Sequence, residues 1–542
     1  MKTFKPPLRF NPEVLQYFRK VFGERKASSV LNALYRPSKK TCLRVNTLRK
    51  TPEAVADELA KLLSVKVEVE PRVPGVVLIN GFGPEDVKYD LEDVKELIVD
   101  RKAGEAILRG ADVFTPGVLA SSPHLAKGDK VYVSVALERP GSDWCGITRG
   151  TTFEKDEDLP EDVVDRGNLY LGIGESMVSR TELFRKKEGV AVKMTNSVFQ
   201  TPSCSGVMVG DVMLQNLPSV VAAAVMEPKP GWRVLDMCAA PGGKTTALAQ
   251  FMQNQGEVIA LDRTHKKVGQ VLEYAEELGL TCVKAYKMDA CKAATVVDKE
   301  EVKSQPPNPK IEARLKRKAE ARVRLNQPPV KEPRKIEKGR GFEHNSFDGV
   351  LLDAPCTALG LRPRLLHRQT MEELANTEQY QRNLIDAAVH LVKPGGFMLY
   401  STCTINPGEN ERNVRYVLDE YPFMRLVQQS PRIGGPGLKG PAEPLGDVPA
   451  CERWLSQEES DMVQRFDPSG DQDTIGFFIA KFQKQVDEVR QGAGGQEELV
   501  GKGRLGEEET RIDKKGRKRG GSTGALEIRE GALKKGRVQK ES

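Results

Sequence analysis

The chain has no uninterrupted apolar run of membrane-spanning length, and its opening, MKTFKPPLRFNPEVLQYF, is broken by prolines and lacks the apolar stretch of a secretory signal. No membrane partner is expected. The nine cysteines are scattered over 542 residues with no CxxC pair and no regular spacing. That pattern argues against a disulfide framework and a zinc ribbon, leaves no metal to assign, and suits a reducing compartment. A large charge imbalance is also missing, since the formal net charge is only +7. The positive charge is concentrated in local basic segments, which suit a polyanionic partner.

The length leaves room for two or three domains. Residues 1–105 read as an N-terminal α/β segment, with helical spacing over Val14–Val21 and Val55–Leu63 and a β-rich run at Val65–Ile79. Inside it, KTCLRVNTLR (Lys40–Arg49) alternates like a strand over a nucleic-acid groove, or like an edge strand with solvated arginines. Residues 106–202 form short apolar runs such as Val131–Val135, Leu169–Ile173 and Val190–Met194 between glycine and proline turns, which predicts a small β-barrel. In residues 203–484, helical spacing around Val207–Leu217 precedes apolar strands at Val234–Cys238, Val258–Asp262, Val283–Met288, Gly349–Asp353, Phe397–Ser401 and Ile475–Ala480. Helical stretches separate these strands, so the expected fold is α/β with a mostly parallel sheet. Lys292–Arg340 holds fifteen Lys or Arg against seven Asp or Glu, with proline clusters, and reads as a disordered basic insertion. Residues 485–542 read as a disordered charged tail in which KKGRKR (Lys514–Arg519) is a nucleic-acid contact, a nuclear address or merely solvated.

Three motifs fall at predicted strand ends, where open α/β sheets bind ligands. DMCAAPGGKT (Asp236–Thr245) follows the first strand; Gly242 and Gly243 allow a tight turn, and Lys244 adds a positive charge. It matches neither dinucleotide nor nucleoside-triphosphate loops. Asp262, at the next strand end, is a candidate acceptor for ribose hydroxyls, and Asp289, after the third, for an adenine edge. This series suits S-adenosylmethionine.

DAPC (Asp353–Cys356) and YSTCTINPGENE (Tyr400–Glu411) place Cys356 and Cys403 at the fourth and fifth strand ends. Two cysteines there suit attack on a poorly reactive carbon: a thiolate adding at C6 of cytosine makes C5 able to accept a methyl group, after which elimination frees the product. A helix starting near Asn410 and a nearby lysine would lower the thiol pKa. Asp353 is a candidate to hold the cytosine amine and N3.

Together these motifs resemble the Nol/Nop/Sun-domain family of RNA cytosine-5 methyltransferases, over roughly residues 10–480. The resemblance implies a Rossmann-like S-adenosylmethionine-dependent methyltransferase core with Cys403 as nucleophile, Cys356 assisting release, and Lys244 and Asp353 positioning the base. It implies cofactor contacts from Cys238, Ala239, Ala240, Pro241, Gly242, Gly243, Lys244, Asp262, Asp289 and Asp353. Residues 106–202, through GADVFTPGV (Gly110–Val118), LGIG (Leu171–Gly174) and GVAVKMT (Gly189–Thr195), resemble the PUA domain inserted in the subfamily numbered six. That implies tRNA as partner, methylated in the acceptor stem near its 3′ CCA end, with some messenger RNA sites besides. It also implies no DNA substrate and a cytoplasmic location with some nuclear exposure. A monomer is the default expectation.

Two features depart from the family. After DAPC the family usually continues Ser-Gly, whereas this chain has Thr357–Ala358, a strained choice if the turn needs positive φ. The 292–340 insertion is also unusually long. They motivate a rival reading as a non-catalytic RNA-binding assembly factor with a degenerate methyltransferase core. A DNA cytosine methyltransferase would attack through Cys356 instead. A methyltransferase acting on protein or a small molecule would leave the paired cysteines unexplained.

Overall fold

Local signals start the N-terminal helices. Asn11 accepts hydrogen bonds from the Glu13 and Val14 amides at the head of Pro12–Phe22, and Thr51 caps Pro52–Leu63 in the same way. The first helix buries Val14, Phe18 and Val21, and the second Val55, Ala56 and Leu59. The computed structural model describes residues 2–486 apart from 90–93, 140–141, 155–157, 161–162, 164–165, 205, 295–340 and 444–453. Most of the expected insertion and tail, including Lys514–Arg519, therefore lies outside the described residues, as does Cys451. Residues 1–487 form one compact unit.

Among the described residues, three sheets organise that unit. In the first, β1 (Lys40–Val45), β2 (Val67–Val69) and β3 (Val76–Asn80) are antiparallel in a four-stranded sheet that a later strand completes. The second holds β4 (Lys95–Val99), β5 (Val113–Phe114), β6 (Val118–Ser121), β7 (Lys130–Val135), β8 (Thr151–Thr152), β9 (Tyr170–Ser176) and β10 (Val190–Ser197), in the order β5-β10-β9-β7-β4-β6-β8. Leu97, Val99, Val131, Val133, Leu171 and Val192 fill its core. Because β4 is hydrogen-bonded between β6 and β7, this sheet begins ahead of the boundary expected at residue 106.

β11 (Val212–Leu214) then returns to pair with β1, giving the order β11-β1-β3-β2. This revises two expectations. Val207–Leu217 holds a strand, and the helix starts only at Leu217, where Pro218 sits in its first turn. Likewise β1 is an interior strand, and Arg44 is 2% exposed instead of solvated.

The third sheet comprises β12 (Arg233–Asp236), β13 (Glu257–Asp262), β14 (Val283–Lys287), β15 (Phe347–Asp353), β16 (Val392–Thr402), β17 (Met424–Leu426), β18 (Gln464–Phe466) and β19 (Phe477–Lys484). Its order is β14-β13-β12-β15-β16-β19-β17, with β18 also pairing β19. The five strands from β14 to β16 are mutually parallel, whereas β19 runs antiparallel to β16. Val234, Leu235, Val350, Leu351 and Leu399 are completely buried, as expected for parallel strands covered on both faces. The chain moves outward from β12 through β13 to β14, then crosses to β15 on the other flank. That reversal opens a crevice at the carboxyl ends of β12 and β15.

Candidate active site

The loop leaving β12 turns at Gly242, whose φ of 115° is open to glycine at low cost; a Cβ there would come within 3.1 Å of the Val271 backbone. The helix Gly243–Phe251 starts immediately after. Cys238, Ala239, Ala240, Pro241, Gly243, Lys244 and Asp353 line a cavity of about 500 Å³, a size typical of small-ligand sites. Gly242 lies in the same loop but outside this lining. Asp262 is buried beside the loop, with Oδ2 accepting from the Ala240 amide at 3.3 Å and Oδ1 from the Arg263 amide at 2.7 Å. Asp289 stands apart, more exposed, with Oδ1 accepting from the Cys291 amide and Oδ2 3.6 Å from the Arg263 guanidinium.

Sequence reasoning missed several groups around the loop. Asp236 is buried beneath it; Oδ2 accepts from Thr245 Oγ1 at 2.7 Å, and burial pushes the carboxyl up to about 7. The Gln215 side-chain oxygen is buried with no hydrogen-bond partner among the described residues, and Gln215 lines the cavity. Arg44 reaches from β1 to donate to Thr246 Oγ1 at 2.7 Å, fastening the N-terminal sheet to the loop's helix. Arg44 and Asp236 lie in apolar strands, where the local pattern predicts packing but not the partner across the fold.

The expected catalytic residues converge. Lys244 Nζ is 2.8 Å from Asp353 Oδ2 and 5.1 Å from the centre of the Phe477 ring. Asp353 Oδ1 accepts from Ser401 Oγ at 2.7 Å, tying β15 to β16. The Cys356 and Cys403 sulfurs are 3.3 Å apart. The hydrogen bond with Cys356 holds the Cys403 thiol below its usual range, with Lys244 acting in the same direction and burial opposing. The same contact, together with burial, raises Cys356 well above that range. The contact thus favours ionisation of Cys403 over Cys356.

Ala358 adopts a φ of 54°, so the turn after Cys356 does place an alanine in the left-handed region. Ala358→Gly should stabilise the fold by up to about 1 kcal/mol, because relief of the Cβ clash outweighs the added freedom of the unfolded chain. Chemical denaturation measures this; a loss of stability would mean that the alanine methyl is more valuable than the turn is strained.

An open sheet of this order, with a glycine-rich loop after its first parallel strand and a thiol pair across the crevice, defines a Rossmann-like methyltransferase. A profile of the 16S rRNA methyltransferase RsmB/F family matches residues 223–304 and 308–483. The rRNA (cytosine-C(5))-methyltransferase NOP2C of Arabidopsis thaliana is 43% identical, over 88% of this chain and 91% of its own. The human tRNA (cytosine(72)-C(5))-methyltransferase NSUN6 is 33% identical, over 88% of this chain and 98% of its own. The crystal structure of NSun6 from Pyrococcus horikoshii with SFG matches with a TM-score of 0.65 and 29% identity, covering 89% of this chain and 100% of that one. The chain belongs to the RsmB/F Sun-domain family and is an S-adenosylmethionine-dependent RNA cytosine-C5 methyltransferase. Its residues fit that cofactor: Gly243 leaves backbone room beside the Gln215 amide, and the Gln215 oxygen, unpaired among the described residues, supplies an acceptor in the cavity wall.

Proposed function

We propose that the chain methylates C5 of a cytosine in the acceptor stem of tRNA, near the 3′ CCA end, through a covalent bond between Cys403 and C6. The observation that carries the mechanism is the 3.3 Å sulfur pair at neighbouring strand ends, beside the cofactor loop. The 238–244 loop with Asp262, Asp289 and Asp353 would hold S-adenosylmethionine, which would supply the methyl group for C5. Cys403, kept as a thiolate by Cys356 and Lys244, adds to C6. Asp353, fixed by Ser401 and Lys244, holds the cytosine amine and N3 in the protonated form that favours addition. A base then takes the C5 proton, and its electron pair restores the C5–C6 double bond and expels the Cys403 sulfur as a thiolate. Cys356 stabilises that departing thiolate through its S–H.

The 33% identity to NSUN6 along almost its whole length supports tRNA as substrate. On this reading the seven-stranded unit is a PUA domain that grips the acceptor end, with messenger RNA sites as additional substrates. The enzyme works as a monomer, without DNA, in the cytoplasm and to some extent the nucleus. One observation favours a second substrate, ribosomal RNA: the relative with 43% identity is named for it. Transfer of labelled methyl from S-adenosylmethionine to separated tRNA, rRNA and mRNA fractions, followed by nucleoside analysis, tests both. 5-Methylcytidine in tRNA upholds the proposal; label confined to rRNA replaces the substrate; a well-folded protein that binds RNA but transfers nothing supports the binding-factor reading.

A further inference from the structure

Beneath the two cysteines lies an acidic residue to which the mechanism assigns no task. Glu409 is completely buried. Its Oε2 accepts from the Thr357 amide at 2.9 Å and from Gln381 Nε2 at 3.0 Å. Its Oε1 accepts from Thr357 Oγ1 at 2.5 Å and from Asn406 Nδ2 at 3.0 Å. Thr357 follows Cys356 and Thr404 follows Cys403, and the two hydroxyls lie 3.0 Å apart. Gln381 also donates to the Pro355 carbonyl at 3.0 Å, and Tyr400 Oη donates to the Glu409 carbonyl at 2.6 Å. One carboxylate therefore joins the turn that carries Cys356 to the strand end that carries Cys403.

Only a carboxylate accepts on both sides at once. An amide in its place would turn an NH₂ toward groups that already donate, breaking one side of the clamp. The donors that reach Glu409 are neutral, so burial of its charge is costly, and stability alone would favour a neutral group. The turn it grips is the one that holds Ala358 at positive φ, a conformation that persists only where the surroundings enforce it.

We propose that Glu409 is a positioning residue that locks the Cys356 turn against the end of the Cys403 strand, and so sets the sulfur-to-sulfur geometry on which product release depends. The inference rests on the release role given to Cys356 under the proposed function. Loss of the clamp leaves RNA binding and the Cys403 strand in place but lets Cys356 drift, so the covalent intermediate forms and fails to resolve.

The test compares wild type, Cys356→Ala, Glu409→Gln, Thr357→Val and Thr357→Ser by RNA methylation, by the fraction of RNA trapped on denatured protein, and by KM for RNA. Glu409→Gln should lower turnover by about tenfold or more without raising KM, and trap RNA well above the wild-type level. Thr357→Val, which keeps the backbone amide but removes the hydroxyl, should show a weaker version that Thr357→Ser rescues. The Glu409→Gln and Thr357→Val effects should be less than additive in the double variant, because both loosen one clamp. If Glu409→Gln does not fold, the threonine pair decides alone. Equal loss of adduct formation and resolution, or a raised KM with normal resolution, overturns the proposal. Wild-type methylation and trapping by Cys356→Ala in the same experiment separate that failure from failure of the release mechanism itself.

Discussion

Cys403→Ala should lose RNA methylation by about 10⁴-fold or more, since C5 of cytosine cannot accept a methyl group until C6 carries a nucleophile. S-adenosylmethionine binding should persist, because Cys403 lies at the end of β16 and outside the loop lining of the cavity. Cys356→Ala should behave differently: attack proceeds, release stalls, and an RNA–protein adduct survives denaturing electrophoresis. The asymmetry follows from the hydrogen bond between the sulfurs, which lowers the Cys403 thiol and raises Cys356. The alanine at 356 also removes the S–H that stabilises the nucleophile, so adduct formation should slow moderately as well. The opposite pattern, with the adduct in Cys403→Ala, would assign attack to Cys356 and the mechanism of DNA cytosine methyltransferases.

The catalytic sheet was legible because its strands are apolar on both faces and end on short motifs. Asp262, Asp353 and Cys403 all lie at or next to the strand ends expected from sequence. The left-handed turn at Ala358 was legible too, as a departure from the usual Ser-Gly. Other features depended on partners distant in sequence. Arg44 reads as a solvated arginine until Thr246, 202 residues away, lies against it. Val212–Leu214 is too short to show a period, and β1 rather than its own sequence makes it a strand. β4 lies ahead of the glycine-rich texture that marked the second sheet, and its place is set by pairing with β6 and β7. Glu409 was inside a quoted motif, yet an acidic residue between Gly408 and Asn410 looks like an ordinary helix-start charge. Its contacts with Thr357 and Gln381 exist only once β15 and β16 are neighbours.

Lys244→Met and Asp353→Asn should each lower the single-turnover methylation rate by about 10²- to 10³-fold, the range seen when one preorganised electrostatic contact is removed from an active site. Lys244 is nearly buried and 2.8 Å from an Asp353 carboxylate that is 30% exposed, so the pair is coupled but partly screened by solvent. Without Lys244, Asp353 keeps only its Ser401 hydrogen bond among the described residues, and Cys403 loses a cation that favours its thiolate. Without the Asp353 charge, the lysine is unpaired and the cytosine loses the acceptor assigned to its amine. Either change disables the other partner, so the double variant should be scarcely worse than the poorer single one. Rates measured at saturating RNA and S-adenosylmethionine distinguish this from a binding defect. Effects that multiply fully would show that the two side chains act independently, and that the ion pair across the crevice is not the unit that orients the base.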